Sequence, residues 1–384
     1  MKWGRCWYIQ FIFCNFTEYY FDESFAIQFR VLYLFLISAM KKILFSLICM
    51  LVAVSCAKEP KVEHTTPANK VLIAYVTSWS NRDVDPQYLT HINYAFGHVD
   101  STFAGVRVDN PKRLKSIVAL KKDYPHLKVL LSIGGWGSGN FSEMAADSSL
   151  RWSFAQDCAA KVEAFGLDGI DIDWEYPTTG VANISYSEND TENYTLMMRD
   201  IRKAIGTDKL LTQATVASAQ YIDYPAVEQY VDYTNVMSYD LGWAPYHNSP
   251  LYPTEHMEKI CVDEAVKCHL AAGVPPEKLV MGLAFYGRGK KGFPRQRDLT
   301  QAHLVEGDYT FCWDPKGQVP YIVDASGELV FGYENETSLA IKAEYILQQG
   351  LKGGMYWSYD GDNADGDLRR TVFKVLNRNR ETAE

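Results

Sequence analysis

The chain has 384 residues, 47% of them hydrophobic and 22% charged, with a net charge of −9. That is the composition of a globular protein with room for one large domain or two ordinary ones. The acidic balance excludes a nucleic-acid partner, because phosphate binding needs clustered basic side chains.

The first 56 residues read differently from the rest. Residues 1–39 hold 13 aromatics with no helix or strand period and are expected to be a misassigned upstream segment, with translation starting at Met40. Residues 40–56, "MKKILFSLICMLVAVSC", pair Lys41 and Lys42 with an apolar run from Ile43 to Val54, the layout of a secretory signal peptide. The closing "AVSC" resembles the lipobox of bacterial lipoproteins, which implies lipidation of Cys56 and a lipid anchor in the bacterial cell envelope as the only membrane contact. The alternative is an N-terminal membrane anchor continuing from "VLYLFLISAM", but the two lysines interrupt the apolar runs and neither reaches the ~20 residues of a span. Residues 57–70, "AKEPKVEHTTPANK", read as a short polar tether. The four later cysteines, Cys158, Cys261, Cys268 and Cys312, show no CxxC or Cys/His spacing for zinc and are expected to be packed thiols.

From residue 71 onward eight short apolar runs alternate with amphipathic stretches. The predicted strands are 71–78, 91–96, 128–135, 169–175, 210–218, 233–240, 280–287 and 353–360. The clearest predicted helices are 111–123, 143–165, 190–205, 255–272, 337–349 and 367–378, with Gly166, Gly206, Gly273 and Gly350 placed to end them. This alternation predicts an α/β fold, a (β/α)8 TIM barrel spanning residues 71–384. A doubly wound open sheet is the other arrangement of such units, but no GxGxxG or GxxxxGK[ST] follows the first strand. One connection is too long: residues 289–336 read as an insertion after strand 7, with a hairpin around Ser326-Gly327.

The stretch "DGIDIDWEYP", 168–177, carries four acidic side chains. Alternation puts Asp171, Asp173 and Glu175 on one face and Ile170, Ile172 and Trp174 on the other. The apolar face suits the helix layer, so the acids should line the barrel interior, with Glu175 last, at the C-terminal end where barrel active sites lie. Carboxylates about 6.6 Å apart along one buried face cannot all ionise. One is expected to keep its proton near neutral pH, as a general acid must. Two other readings stand beside this: acids paired with buried Lys or Arg, and a Mg or Ca site. The strands supply few basic partners and no supporting oxygen ligands are apparent, so no metal is expected.

"DGIDIDWE" resembles the DxxDxDxE signature of the family 18 glycoside hydrolases, the chitinase family. "SIGGW" (132–136), "MSYD" (237–240), "FYGR" (285–288) and "GGMYW" (353–357) resemble that family's strand-end motifs in the same order. The resemblance covers residues 71 to about 378. It implies a barrel that hydrolyses β-1,4 links after N-acetylglucosamine with no cofactor. Glu175 would be the acid and Asp173 the residue holding the substrate acetamido N–H. Asp171 would share a proton with Asp173, and Tyr239 would donate to the acetamido oxygen. Trp357 would form the sugar-binding floor and Asp240 would support the sugar. Tyr75, Phe96, Trp136, Tyr176 and Tyr286 would line the cleft. Met237 would pack beneath the sugar, and Arg288 would contact a hydroxyl or a cleft acid. Asp168, at the strand's start, reads as structural.

The expected substrate is chitin or N-acetylglucosamine oligosaccharides, acted on by a monomer. The insertion is shorter than the α+β domain of deep-cleft members, which predicts a shallower groove and less processive action. The alternatives are an endo-β-N-acetylglucosaminidase acting on the chitobiose core of N-glycans, and a non-catalytic chitin-binding lectin on the same barrel. The sequons at Asn183, Asn189, Asn193 and Asn335 are read as chance.

Overall fold

The computed structural model describes residues 70–291, 293, 295–298 and 306–378. Cys56, the segment around it and the tether up to residue 69 lie outside the described residues.

Each of the eight apolar runs forms a strand: β1 (Val71–Thr77), β2 (His91–Val99), β4 (Lys128–Gly134), β5 (Gly169–Asp173), β6 (Leu210–Val216), β7 (Tyr233–Met237), β8 (Leu279–Ala284) and β13 (Gly353–Trp357). They pair in parallel in the order β1-β2-β4-β5-β6-β7-β8-β13, and β13 pairs with β1, so the sheet closes on itself. This is a (β/α)8 barrel. Parallel strands buried on both faces must be apolar nearly throughout, and β1 and β8 are fully buried along their length. A short strand, β3 (Val106–Val108), adds antiparallel to the end of β2.

Two layers of core follow from the alternation. Ile170, Ile172 and Trp174 point outward into the helix layer, where Trp174 stacks on Phe141 at 5.2 Å. Val71, Ile73, Tyr75, Val280 and Met355 point inward and form a separate interior cluster with Met237, Tyr239 and Trp357 against it.

The strands differ from expectation at their C-terminal ends. Five of the eight stop two to three residues earlier than the apolar pattern does, so Glu175, Tyr239, Tyr286 and Asp360 stand beyond the ladder. Apolar character continues there because these residues fill the barrel mouth, not because they pair. The stretch 143–165 is two helices, Phe141–Ala146 and Ser148–Phe165, divided where the Asp147 carboxylate accepts from Ser149 N and Leu150 N and starts the second one. Gly166, at φ 70°, ends it in the left-handed conformation that glycine adopts without a Cβ clash. The stretch 255–272 is helical only from Val262 to Ala271, capped by Glu264 on Cys261 N.

The insertion is larger than a hairpin. It is a four-stranded antiparallel sheet in the order β10-β11-β12-β9, made of β9 (Arg288–Gly289), β10 (Thr310–Asp314), β11 (Val319–Val323) and β12 (Leu329–Gly332). The expected turn at Ser326-Gly327 joins β11 to β12. The sheet is fastened to the loop after β7. Asp314 meets His247 Nε2 at 3.0 Å and Thr254 Oγ1 at 2.5 Å. Lys342, from the helix Glu336–Gln348, and Glu334 form a fully buried ion pair that also holds Ser249.

Candidate active site

β5 carries the acidic row up the barrel interior. Asp168, at its foot, lies outside the row. It pairs with Lys121 at 2.6 Å and accepts Val129 N at 2.9 Å, tying β5 to β4. Asp171 is completely buried and has no cationic partner among the described residues. Four donors from four other strands surround it. Tyr75 OH (2.8 Å) and Ser132 Oγ (2.7 Å) donate to Oδ2; Thr212 Oγ1 (2.5 Å) and Asn235 Nδ2 (3.1 Å) donate to Oδ1.

Asp173 is also buried, yet its Oδ1 has no hydrogen-bond partner. The two carboxyls therefore respond differently to the same burial. Burial raises the Asp171 pKa and its four donors oppose the rise. Burial, with Glu175 and Asp171 as like charges, holds Asp173 well above the carboxylate range with nothing opposing. Glu175, just past the strand end, is pushed up to about 7, chiefly by burial, opposed by the Tyr176 hydroxyl and reinforced by Asp240. The row is thus a carboxyl at the base held by four donors, a proton-retaining middle and an acid at the mouth poised near neutral pH.

Aromatic rings surround the mouth. Trp357 ends β13, and Phe96 stacks against it at 5.8 Å and 17°. Trp136 is 64% exposed and meets Tyr176 edge-on at 6.5 Å, while Tyr176 stacks on Tyr221 at 5.6 Å. Tyr239 reaches under the mouth, its hydroxyl 3.7 Å from Met355 Sδ, with Met237 beside it in the interior cluster. On the opposite wall Asp240 accepts from Tyr286 OH at 2.8 Å and from Arg288 Nε and Nη2 at 2.6 and 2.7 Å. The cleft acid expected for Arg288 is therefore Asp240. Glu175–Tyr176 and Trp357–Ser358 are cis peptides at the C-terminal ends of β5 and β13, and Ala95–Phe96 is a third, inside β2 where its pairing with β4 shifts register.

Two residues expected to line the cleft lie beneath it. Tyr75 is 2% exposed and spends its hydroxyl on Asp171, because its position within β1 is too deep to reach the mouth. Phe96 is buried behind Trp357 as its backing. Three further rings were not anticipated, two of them exposed. Trp79 is 63% exposed with its ring 6.4 Å from Trp357. Trp243 is 52% exposed with the Arg288 guanidinium 4.1 Å above it. Tyr221 extends the Tyr176 wall. Trp79 and Trp243 each follow a strand end by a few residues, which was the available signal.

A closed parallel barrel with a graded carboxyl row at the C-terminal mouth and a floor of indole and phenol rings defines a carbohydrate-cleaving (β/α)8 barrel. The chain belongs to the Glycosyl hydrolases family 18, whose family model matches residues 71–362. It is similar to Chitinase A1 of Niallia circulans, with 28% identity over 419 residues, covering 83% of this chain and 60% of that protein. It is also similar to Chitotriosidase-1 of Mus musculus, with 30% identity over 373 residues, covering 81% and 79%. The chain thus spans less than two thirds of Chitinase A1's length. Among solved structures it resembles a family 18 N-acetylglucosaminidase from Paenibacillus barengoltzii, with TM-score 0.71, 31% identity and coverage of 80% of this chain and 100% of that one. The Ostrinia furnacalis Group IV chitinase in complex with allosamidin gives TM-score 0.72, 28% identity and coverage of 80% and 99%.

Proposed function

We propose that the chain is a chitinase-type glycosidase that hydrolyses β-1,4 N-acetylglucosaminide bonds with retention by substrate-assisted catalysis. The observation that carries this reading is the buried face of β5 that brings Asp171 and Asp173 in turn to the barrel mouth, with Glu175 just past the strand end, where burial pushes its carboxyl up to about 7. Relatives called chitinases in both comparisons support it.

In this reading the sugar at the cleavage point rests on Trp357. Glu175 gives its proton to the glycosidic oxygen as the bond to the anomeric carbon breaks. The sugar's own acetamido oxygen closes on that carbon, forming an oxazolinium ion. Asp173 leaves its proton with Asp171 as it turns toward the sugar, accepts the acetamido N–H and offsets the positive charge, while the Tyr239 hydroxyl orients the acetamido oxygen. Glu175, now a carboxylate, then takes a proton from the water that opens the ring, which restores the acid and retains configuration. Asp240, fixed by Tyr286 and Arg288, meets a sugar hydroxyl on the wall.

The test is product analysis by mass spectrometry, with the full chain on N-acetylglucosamine tetra- to hexasaccharides and on a high-mannose glycoprotein. Shortened oligosaccharides, with the glycoprotein untouched, are expected. Release of a glycan leaving one N-acetylglucosamine on the protein would make it an endoglycosidase of N-glycans instead. Binding without cleavage of either would make it a lectin.

The placement read from "AVSC" belongs to the same proposal: a signal peptide at 40–56 and a lipid on Cys56 would tether the enzyme to the bacterial envelope, with 57–70 as spacer. Cys56→Ala is expected to release activity from the membrane fraction, and unchanged membrane association would place the anchor elsewhere.

A further inference from the structure

We infer that Asn248 is a positioning residue: it binds the main chains of Asp240 and Tyr286 at once and so sets the cleft wall that these two form with Arg288. Its consequence for turnover rests on the reading of Asp240 given above. The wall comes from two segments far apart in sequence, the loop after β7 and the segment that leads from β8 into β9. Their side chains meet at the Asp240 carboxylate, which accepts from Tyr286 and Arg288. Side chains on two separate loops keep one geometry only if the loops are tied together behind them. Asn248 is that tie. Its Oδ1 accepts Asp240 N at 2.9 Å, and its Nδ2 donates to Tyr286 O at 3.1 Å. A ring is closed: the Asp240 main chain to Asn248, Asn248 to the Tyr286 main chain, and Tyr286 OH back to the Asp240 carboxylate.

The two partners decide the residue type. A main-chain N–H can only donate and a carbonyl can only accept, so the group between them must offer an acceptor and a donor side by side. A carboxamide does this, and the roles of its two atoms follow from the partners. Asn248 is 2% exposed, so neither bond is replaced by bulk water once lost. The same burial puts it behind the wall, out of contact with a bound sugar. The Asp240 main chain needs the support. At φ 57° it lies in the left-handed region, sparsely populated by residues other than glycine. The main chain of Asn248 closes the loop at the same place, since Leu241 N donates to Asn248 O at 2.9 Å. The preceding residue, His247, is anchored in the insertion through Asp314. The neck of the loop is thus fixed to the insertion sheet, while Trp243 on its arch meets Arg288 at the cleft.

The test is Asn248→Ala in the full chain, with two readouts. The first needs no substrate: amide hydrogen exchange at Asp240 and Leu241, resolved by fragmentation mass spectrometry. The Asp240 N–H is expected to exchange about ten-fold faster, the weight of one hydrogen bond. The Leu241 N–H, whose bond goes to the Asn248 main chain, should keep its protection. Loss at both residues would show that the loop has simply come loose, and loss at neither that Asn248 does not hold Asp240; each overturns the inference. The second readout is a double-mutant cycle on N-acetylglucosamine hexasaccharide. Asn248→Ala is expected to lower kcat/KM about ten-fold on its own and less than about two-fold in an Asp240→Ala background, where nothing is left to orient. Where Asp240→Ala itself impairs cleavage, equal losses in both backgrounds, or no loss, overturn the inference. If Asp240→Ala cleaves like wild type, the reading of Asp240 as a sugar contact falls, and the exchange readout alone decides whether Asn248 holds it. Asn248→Asp keeps the acceptor for Asp240 N and gives up the donor to Tyr286 O, and serves if the alanine variant fails to fold. Protection at Asp240 should then remain while kcat/KM falls about three- to ten-fold. Wild-type kcat/KM in Asn248→Asp would overturn the tie to Tyr286.

Discussion

Arg288 grips Asp240 through two parallel hydrogen bonds, Nε to Oδ1 at 2.6 Å and Nη2 to Oδ2 at 2.7 Å, while its guanidinium lies 4.1 Å over the Trp243 ring. One side chain thus sets both a carboxylate and an indole of the same cleft wall. Lysine offers a point charge without the fork or the flat face. Arg288→Lys is expected to lower kcat/KM about ten-fold on hexasaccharide while leaving the melting temperature within about 2 °C, since the pair is half-exposed. Wild-type kinetics would show that Asp240 needs no orientation.

Glu175 is expected to impose a basic limb on kcat near pH 7, because the acid must carry its proton and burial raises its pKa to about 7. Glu175→Gln should abolish turnover and keep oligosaccharide binding. The same residue governs stability. A carboxyl with a raised folded-state pKa favours the fold fully below its unfolded value of about 4.3 and loses that contribution as pH rises to about 7. Glu175→Gln should therefore melt higher than wild type at pH 8 and the same at pH 4. Equal melting at both would mean that the carboxyl titrates normally.

Trp79 and Trp357 form one platform, held together by Asp360. Ser80 Oγ donates to its Oδ1 at 2.6 Å and Thr77 Oγ1 to its Oδ2 at 3.3 Å. Trp79→Ala is expected to raise KM for the hexasaccharide about three- to ten-fold, with little change for a disaccharide glycoside and none in stability. An equal effect on short and long substrates would place Trp79 at the cleavage point.

The Lys342–Glu334 pair is buried on both sides and satisfied by Ser249 and Ser338. Lys342→Met leaves a carboxylate buried without its cation and should cost roughly 3–5 kcal/mol in urea unfolding. The double variant Lys342→Met, Glu334→Leu should recover most of that. Additive losses would show that the charges do not compensate each other.

Much of this molecule was legible in the sequence because its periods are strong. The eight apolar runs located all eight barrel strands, and alternation within "GIDIDWE" separated interior acids from outward Ile170, Ile172 and Trp174. Depth was not legible. Alternation tells which face Tyr75 occupies but not that β1 stops its hydroxyl at Asp171. Thr212 and Asn235 sit in runs that read simply as strand, and a lone Thr or Asn there carries no period of its own. Trp79 and Trp243 escaped for a related reason: they lie on loops, where an aromatic has no pattern around it. The third and fourth strands of the insertion were hidden because β9 has two residues and "TFCWD" mixes exposed and half-buried positions.

The pairing of β1 with β13 joins Val71 to Gly353 and Ala74 to Tyr356. The ring cannot close during synthesis until nearly the whole barrel sequence has emerged, and until then β1 and β8 each present an open row of backbone groups to other chains. A chain that must wait for its last strand gains from being held unfolded in the meantime. A break anywhere before residue 353 would leave not a smaller enzyme but an unclosed sheet.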